Sequence, residues 1–121
     1  MKILVAEDDR FLVTAYRAKL TKAGFEVQIA SDGDEVLATL QKFIPDIMLL
    51  DLVMPKKDGF AALEAIKKDE KLKHIPIIVA SNLGQKEDLD KAKALGADDY
   101  IIKSDMSMDA LVQKINSHIK H

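Results

Sequence analysis

Acid, hydroxyl and base interrupt the apolar runs of this sequence at points where chemistry becomes possible. Glu7, Asp8 and Asp9 follow the run from Ile3 to Ala6, and Asp51 follows Ile47 to Leu50. Ser81 follows Ile77 to Ala80, and Lys103 follows Tyr100 to Ile102. Each also has a plainer explanation. Asp8 or Asp9 can cap a helix, and Asp51 can open a turn before Leu52-Val53-Met54-Pro55. Ser81 can cap the helix that follows it, and Lys103 can be a solvated surface lysine. Taken together they suggest a site. Clustered carboxylates raise one another's pKa unless a positive charge compensates. All-oxygen ligands favour Mg²⁺ or a similar hard cation, and a lysine adds a second charge. Cation, ammonium and hydroxyl around an aspartate suit a dianionic phosphoryl group, with the carboxylate as nucleophile.

Such a site needs elements that bring the run ends together. The runs from Ile3, Phe25, Ile47, Ile77 and Tyr100 have the length and the Val/Ile/Leu content of strands, and the unbroken apolar character of three suits burial on both faces. Helical patterns lie between and after them. Met108, Leu111, Val112, Ile115 and Ile119 share one face of the last helix. Val36, Leu37, Leu40 and Ile44 do so in the second, and Leu63 and Ile66 anchor the third. Gly24 and Gly96 stand where the first and fourth helices should stop, and Asp58 is placed to cap the third. Alternating strands and helices imply an α/β fold with a doubly wound parallel sheet. Such sheets bind ligands outside the carboxyl ends of their strands, near the switch in strand order. The second run ends without a functional group, as an edge strand would.

The whole chain fits this picture. Its 121 residues suit one domain spanning 1–121, and 48% hydrophobic with 31% charged residues is an ordinary globular composition. A formal charge of -2 gives no basic face, so direct nucleic-acid binding is not expected. Without cysteine, disulfides, thiolate catalysis and zinc–cysteine sites are excluded, and a reducing cytoplasm is the expected location. The apolar run from Met1 to Ala6 is too short for a signal peptide or membrane span.

The motifs resemble the receiver domain of two-component response regulators from Lys2 to about Ile119. They are Ile3-Leu4-Val5-Ala6-Glu7-Asp8, Asp51-Leu52-Val53-Met54-Pro55-Lys56-Lys57-Asp58-Gly59, Ile78-Val79-Ala80-Ser81 and Gly96-Ala97-Asp98-Asp99-Tyr100-Ile101-Ile102-Lys103. The resemblance implies a flavodoxin-like five-stranded sheet, order 2-1-3-4-5, with five helices. It implies that Asp51 is the phosphoacceptor, that Asp8 and Asp51 ligate Mg²⁺ directly, that Val53 adds its backbone carbonyl, and that Glu7 acts through water. Ser81 and Lys103 would bind the phosphoryl group. Tyr100 would turn inward when Ser81 moves towards it. The phosphodonor would be a sensor histidine kinase or a histidine phosphotransfer protein. The response would appear on the surface of helix 4, strand 5 and helix 5, and would regulate a downstream protein. A monomer or a weak phosphorylation-dependent dimer is expected. No output domain follows the fifth helix, so a stand-alone regulator or an excised receiver is expected.

Two departures from the family pattern stand out. Ser104 replaces the usual proline after Lys103, so the Lys103–Ser104 bond is predicted to be trans with a shifted loop, or strained cis. Asn82 replaces a small residue after Ser81, and either crowds or hydrogen-bonds the phosphate. Val53 and Leu83, both apolar, are expected to flank phosphate access without positioning a water, which predicts slow self-dephosphorylation. His74, His118 and His121 are expected to be surface residues without partners. Other readings fit less well. A phosphohydrolase of the haloacid dehalogenase type needs a second aspartate where Val53 stands, so a phosphoacceptor rather than a turnover enzyme is expected. A flavodoxin-like electron carrier would have Glu7, Asp8 and Asp9 repelling its flavin phosphate. A phosphorylation-independent interaction module of the same fold stays open.

Overall fold

A computed structural model describes residues 1–53, 58–82 and 85–119. Five strands and five α-helices alternate: β1 (Lys2–Ala6), α1 (Arg10–Lys22), β2 (Glu26–Ala30), α2 (Gly33–Thr39), β3 (Ile47–Leu50), α3 (Gly59–Lys68), β4 (Ile77–Ser81), α4 (Lys86–Ala94), β5 (Asp99–Ile102) and α5 (Met108–Ser117). All strand pairs are parallel, in the order β2-β1-β3-β4-β5. The chain leaves β1 towards one edge and returns to β3 on the other side. The strand order therefore switches between β1 and β3, where Glu7, Asp8 and Asp51 emerge.

The period of two along each strand divides the core into layers. Leu4 and Ala6 of β1 face one layer with Met48 and Leu50 of β3, under Val36 of α2, Leu63 and Ile66 of α3 and Ala92 of α4. Ile3 and Val5 face the other with Leu49 and Ile78, under Tyr16 and Leu20 of α1 and Leu111 and Ile115 of α5. Strands β1, β3 and β4 are thus buried on both faces, as their unbroken apolar runs predict.

The helix ends follow local chemistry. Asp9 caps α1 by accepting from the N–H groups of Phe11 and Leu12, and Asp58 caps α3 through Ala61 N–H. Gly24 and Gly96 follow α1 and α4 with φ of +98° and +104°, the left-handed conformation that favours glycine. The second helix is shorter than its apolar spacing implies. It stops at Thr39 with Leu40 as cap, and Ile44 is exposed. Pro45 disfavours helical backbone at Ile44, and the side chain of Phe43 packs against the core instead.

Candidate functional site

The acids reach their positions because strands β1 and β3 end at matched register, with Ala6 paired to Leu50. The next N–H of the β3 segment, from Asp51, donates to Ala6 O at 3.0 Å, which fixes the Asp51 backbone beside Glu7. The tight approach of α3 holds it from the other side. Gly59 N–H donates to Leu52 O at 2.9 Å, and a Cβ on Gly59 would lie 2.3 Å from Asp51 O. Only glycine lets this helix start so close to that backbone.

Glu7 and Asp51 are buried, and Asp8 is exposed. Carboxylate oxygens of these three lie within 4.8 Å of one another. Lys103 bridges two of them. Its ammonium donates to Glu7 Oε1, and to Asp51 Oδ2 at 3.0 Å. Glu7 Oε2 accepts from the backbone N–H of Asp8 and Asp9 at 3.1 and 3.2 Å, and Asp51 Oδ1 accepts from Val53 N–H at 3.2 Å. Burial pushes the Glu7 carboxyl above its ordinary range, and the charge of Asp51 adds to the push. The bond from Lys103 offsets this only in part. At Lys103 burial acts against the charge, yet the bonds and charges of Glu7 and Asp51 outweigh it and hold the ammonium above its usual range. Among the described residues the cluster thus has Lys103 as the cation paired with two of its three acids, and that negative excess is suited to a hard cation.

A cleft of about 300 Å³ opens over this cluster, lined by Glu7, Asp8, Asp9, Leu12, Asp51, Val53, Ser81, Asn82 and Lys103. The expected site residues are therefore gathered in one place, with two qualifications. Tyr100 does not line the cleft but shares a hydrogen bond with Ser81 behind it. Leu83 lies outside the described residues, as do Met54 to Lys57. The side chain of Asn82 is exposed at the cleft and Val53 is 58% exposed. Among the described residues every peptide bond is trans, and residues Lys103–Asp105 after β5 curl into a 3₁₀ turn. This is the first of the two geometries predicted for Lys103–Ser104.

The expectation for the histidines needs correction. His74 is exposed and His121 lies outside the described residues, but His118 is half-buried and paired. Its Nε2 is 2.9 Å from Asp99 Oδ2, and Lys114 Nζ is 3.3 Å from the same oxygen. The pairing joins residues far apart in sequence, so local pattern gives no sign of it. Sequence reasoning also passed over Tyr16. It is buried on the face of α1 that carries Leu20, and burial pushes its phenol up to about 12. The available signal was a polar-tipped side chain at a core position of the helix that starts in the cleft.

The sheet order and the strand-end cleft define a doubly wound, flavodoxin-like α/β protein. The family model "Response regulator receiver domain" matches residues 3–116, and the chain belongs to this family of two-component signalling domains. Response regulator RR06 of Streptococcus pneumoniae is 40% identical over 121 residues, covering 99% of this chain and 54% of that protein. The DNA-binding dual master transcriptional regulator RpaA of Synechocystis is 36% identical over 102 residues, covering 84% of this chain and 42% of that protein. The Mn²⁺-bound form of response regulator Rcp1 superposes with a TM-score of 0.86 at 31% identity, covering 97% of this chain and 92% of that one. The chain spans about half the length of the curated relatives it matches, or less. RpaA is by name a DNA-binding protein, so the expectation of no nucleic-acid partner does not match that relative. No helix among the described residues is long and apolar enough to cross a membrane.

Proposed function

We propose that the chain is a phosphoacceptor switch in which Asp51 takes a phosphoryl group from the phosphohistidine of a sensor histidine kinase or histidine phosphotransfer protein. One observation carries the reading. Asp51 is buried at the floor of an open cleft, beside Glu7 and Asp8 and within 3.0 Å of the Lys103 ammonium. In the proposed step an Asp51 carboxylate oxygen attacks phosphorus, the P–N bond breaks, and its electron pair leaves on the imidazole.

Three convergent carboxylates fit a hard divalent cation, and the Mn²⁺ of Rcp1 supports this assignment. Asp8 and Asp51 would hold Mg²⁺ directly, Val53 through its backbone carbonyl and Glu7 through water. When bound, the ion supplies charge neutralisation for the phosphoryl oxygens. Lys103 supplies a fixed positive charge, and Ser81 supplies a hydroxyl at the cleft wall. Tyr100, bonded to Ser81, links the cleft to the α4–β5–α5 surface that would engage a downstream protein. Any DNA contact would belong to a larger regulator of the RpaA kind. Cytoplasmic location, and a monomer or weak phosphorylation-dependent dimer, complete the reading.

The test is intact mass after incubation with Mg²⁺ and acetyl phosphate, with Asp51→Ala as control. The expected result is one added phosphoryl group that requires both Mg²⁺ and Asp51. An unchanged mass would instead favour an interaction module that works without phosphorylation.

A further inference from the structure

Behind Lys103 lies a second, smaller cavity of about 70 Å³. It is lined by Leu12 and Tyr16 of α1, Ala80 and Ile101 of the sheet, and Met106, Met108 and Leu111 before and within α5, with Lys103 and Ser107. Among the described residues, only Leu12 and Lys103 line both this cavity and the cleft above Asp51. Lys103 therefore stands as a partition, open to contact from both sides.

The polar groups on the far side are few. Tyr16 is 4% exposed, and among the described residues no hydrogen bond reaches its hydroxyl. Burial is the largest influence on the phenol, and Lys103 is the charge that weighs on it most. No buried side-chain nitrogen or oxygen among the described residues lacks a partner, so the Tyr16 oxygen is accessible from the cavity that it lines with Lys103 and can accept a donor that enters it. The cavity is less than half of the roughly 150 Å³ that admits benzene in an engineered core. It is far below the several hundred Å³ of metabolite sites. Its volume suits the movement of an ammonium group or a water, not a ligand.

We propose that Tyr16 is a positioning residue for Lys103, its hydroxyl accepting an N–H of the ammonium when phosphorylation of Asp51 redistributes the lysine's contacts. This rests on the phosphoacceptor reading above. An ammonium has three donors. At rest, Glu7 and Asp51 each take one. A phosphoryl group in the cleft competes with Glu7 for the lysine, and among the described residues that line the cavity behind it the side-chain hydroxyls are those of Tyr16 and Ser107. The phenol and the ammonium line the same cavity.

Tyr16→Phe keeps the ring and deletes the hydroxyl. Saturating phosphorylation by phosphoramidate, followed by intact mass, separates the maximal rate from the half-saturating donor concentration. The expected result is a maximal rate lowered by about tenfold to a hundredfold, the scale of one hydrogen bond to a charged group, with half-saturation unchanged and a thermal midpoint no lower than wild type. In protein labelled with ¹⁵N at lysine Nζ, the Lys103 signal should differ between variant and wild type only after phosphorylation. Wild-type rates together with an identical Lys103 signal would overturn the assignment. So would a Lys103 signal that differs equally before and after phosphorylation, because the hydroxyl would then act through resting structure alone. Failure of wild type itself to take up phosphate would count against the phosphoacceptor reading instead.

Discussion

Gly59→Ala tests whether the floor of the cleft is set by backbone contact. A Cβ there would lie 2.3 Å from Asp51 O, 2.4 Å from Leu52 Cα and 2.9 Å from Asp51 C. Ordinary non-bonded contacts are about 3.5–4.0 Å, so the overlap exceeds an ångström, and every neighbour is main chain. Either α3 or the Asp51–Leu52 backbone must move. Overpacking of this kind costs about 1–3 kcal/mol. Loss of the Gly59 N–H bond to Leu52 O adds about 0.5–1.5 kcal/mol. The better helix propensity of alanine returns at most about 1 kcal/mol. The net loss is about 1–4 kcal/mol, and for a chain of this size the thermal midpoint should fall by roughly 5–15 °C. Gly24→Ala is the control. Its Cβ would meet nothing within 4 Å, so only the strain of φ +98° remains, about 1–2 kcal/mol. The two variants thus overlap in stability but differ at the site. Phosphorylation by acetyl phosphate, measured well below both midpoints, should slow markedly in Gly59→Ala and stay at the wild-type rate in Gly24→Ala. A Gly59→Ala protein with wild-type midpoint and rate would refute the close-approach argument.

Three further outcomes follow from the same geometry. Lys103→Met leaves the buried carboxylates of Glu7 and Asp51 without their cation, and should cost about 3–5 kcal/mol in urea unfolding without divalent ions; a loss below about 1 kcal/mol would show that the pairing contributes little. Burial acts to raise the Asp99 carboxyl, but the bonds from His118, Tyr100 N–H and Lys114 outweigh it and hold the group below 3.8. A carboxyl with a depressed folded pKa stabilises the fold above its unfolded pKa and loses that contribution as pH falls through the folded value, so Asp99→Asn should lower the midpoint at pH 7 and flatten the decline below about pH 4, whereas a decline parallel to wild type would contradict the pairing. Val53→Asn places an amide at the cleft wall and should shorten the acyl-phosphate half-life, which an unchanged decay by intact mass would disprove.

What the sequence made legible depended on how local each cause was. The strands could be read because β1, β3 and β4 are buried on both faces, which forces unbroken apolar runs. The cleft could be read because acids, serine and lysine break those runs at one end of the sheet. The end of α2 could not be read from period alone. The apolar spacing runs on to Ile44, while Pro45 and the packing of Phe43 stop the helix at Thr39. The Asp99–His118 pair and the Tyr16–Lys103 cavity were hidden for a further reason. Each depends on α5 or α1 docking against β5, and no spacing along the chain encodes that distance.

On the proposed reading, the energetics of switching favour a receiver that is not fully off at rest. Moving a two-state equilibrium from 1:99 to 99:1 needs about 5.5 kcal/mol of differential binding. A phosphoryl contact with one hydroxyl and one ammonium supplies roughly 2–4.5 kcal/mol, so a switch that began so far off would respond incompletely. Two features reduce the requirement. Tyr100 is partly buried against the core and hydrogen-bonded to Ser81, so on this reading little rearrangement would bring the tyrosine inward. Helix α4, packed beside that bond, is weakly anchored. Among its residues only Ala92 is buried, and its N-cap Gln85 makes no side-chain capping bond. An element with so little buried apolar area sits at the low end of local stability. A shift from about 1:9 to 9:1 needs only about 2.6 kcal/mol, which lies within what the two contacts provide. On this reading, strong burial of the cleft floor against weak burial of α4 would let a local change of charge be read at a distance without unfolding the site that receives it.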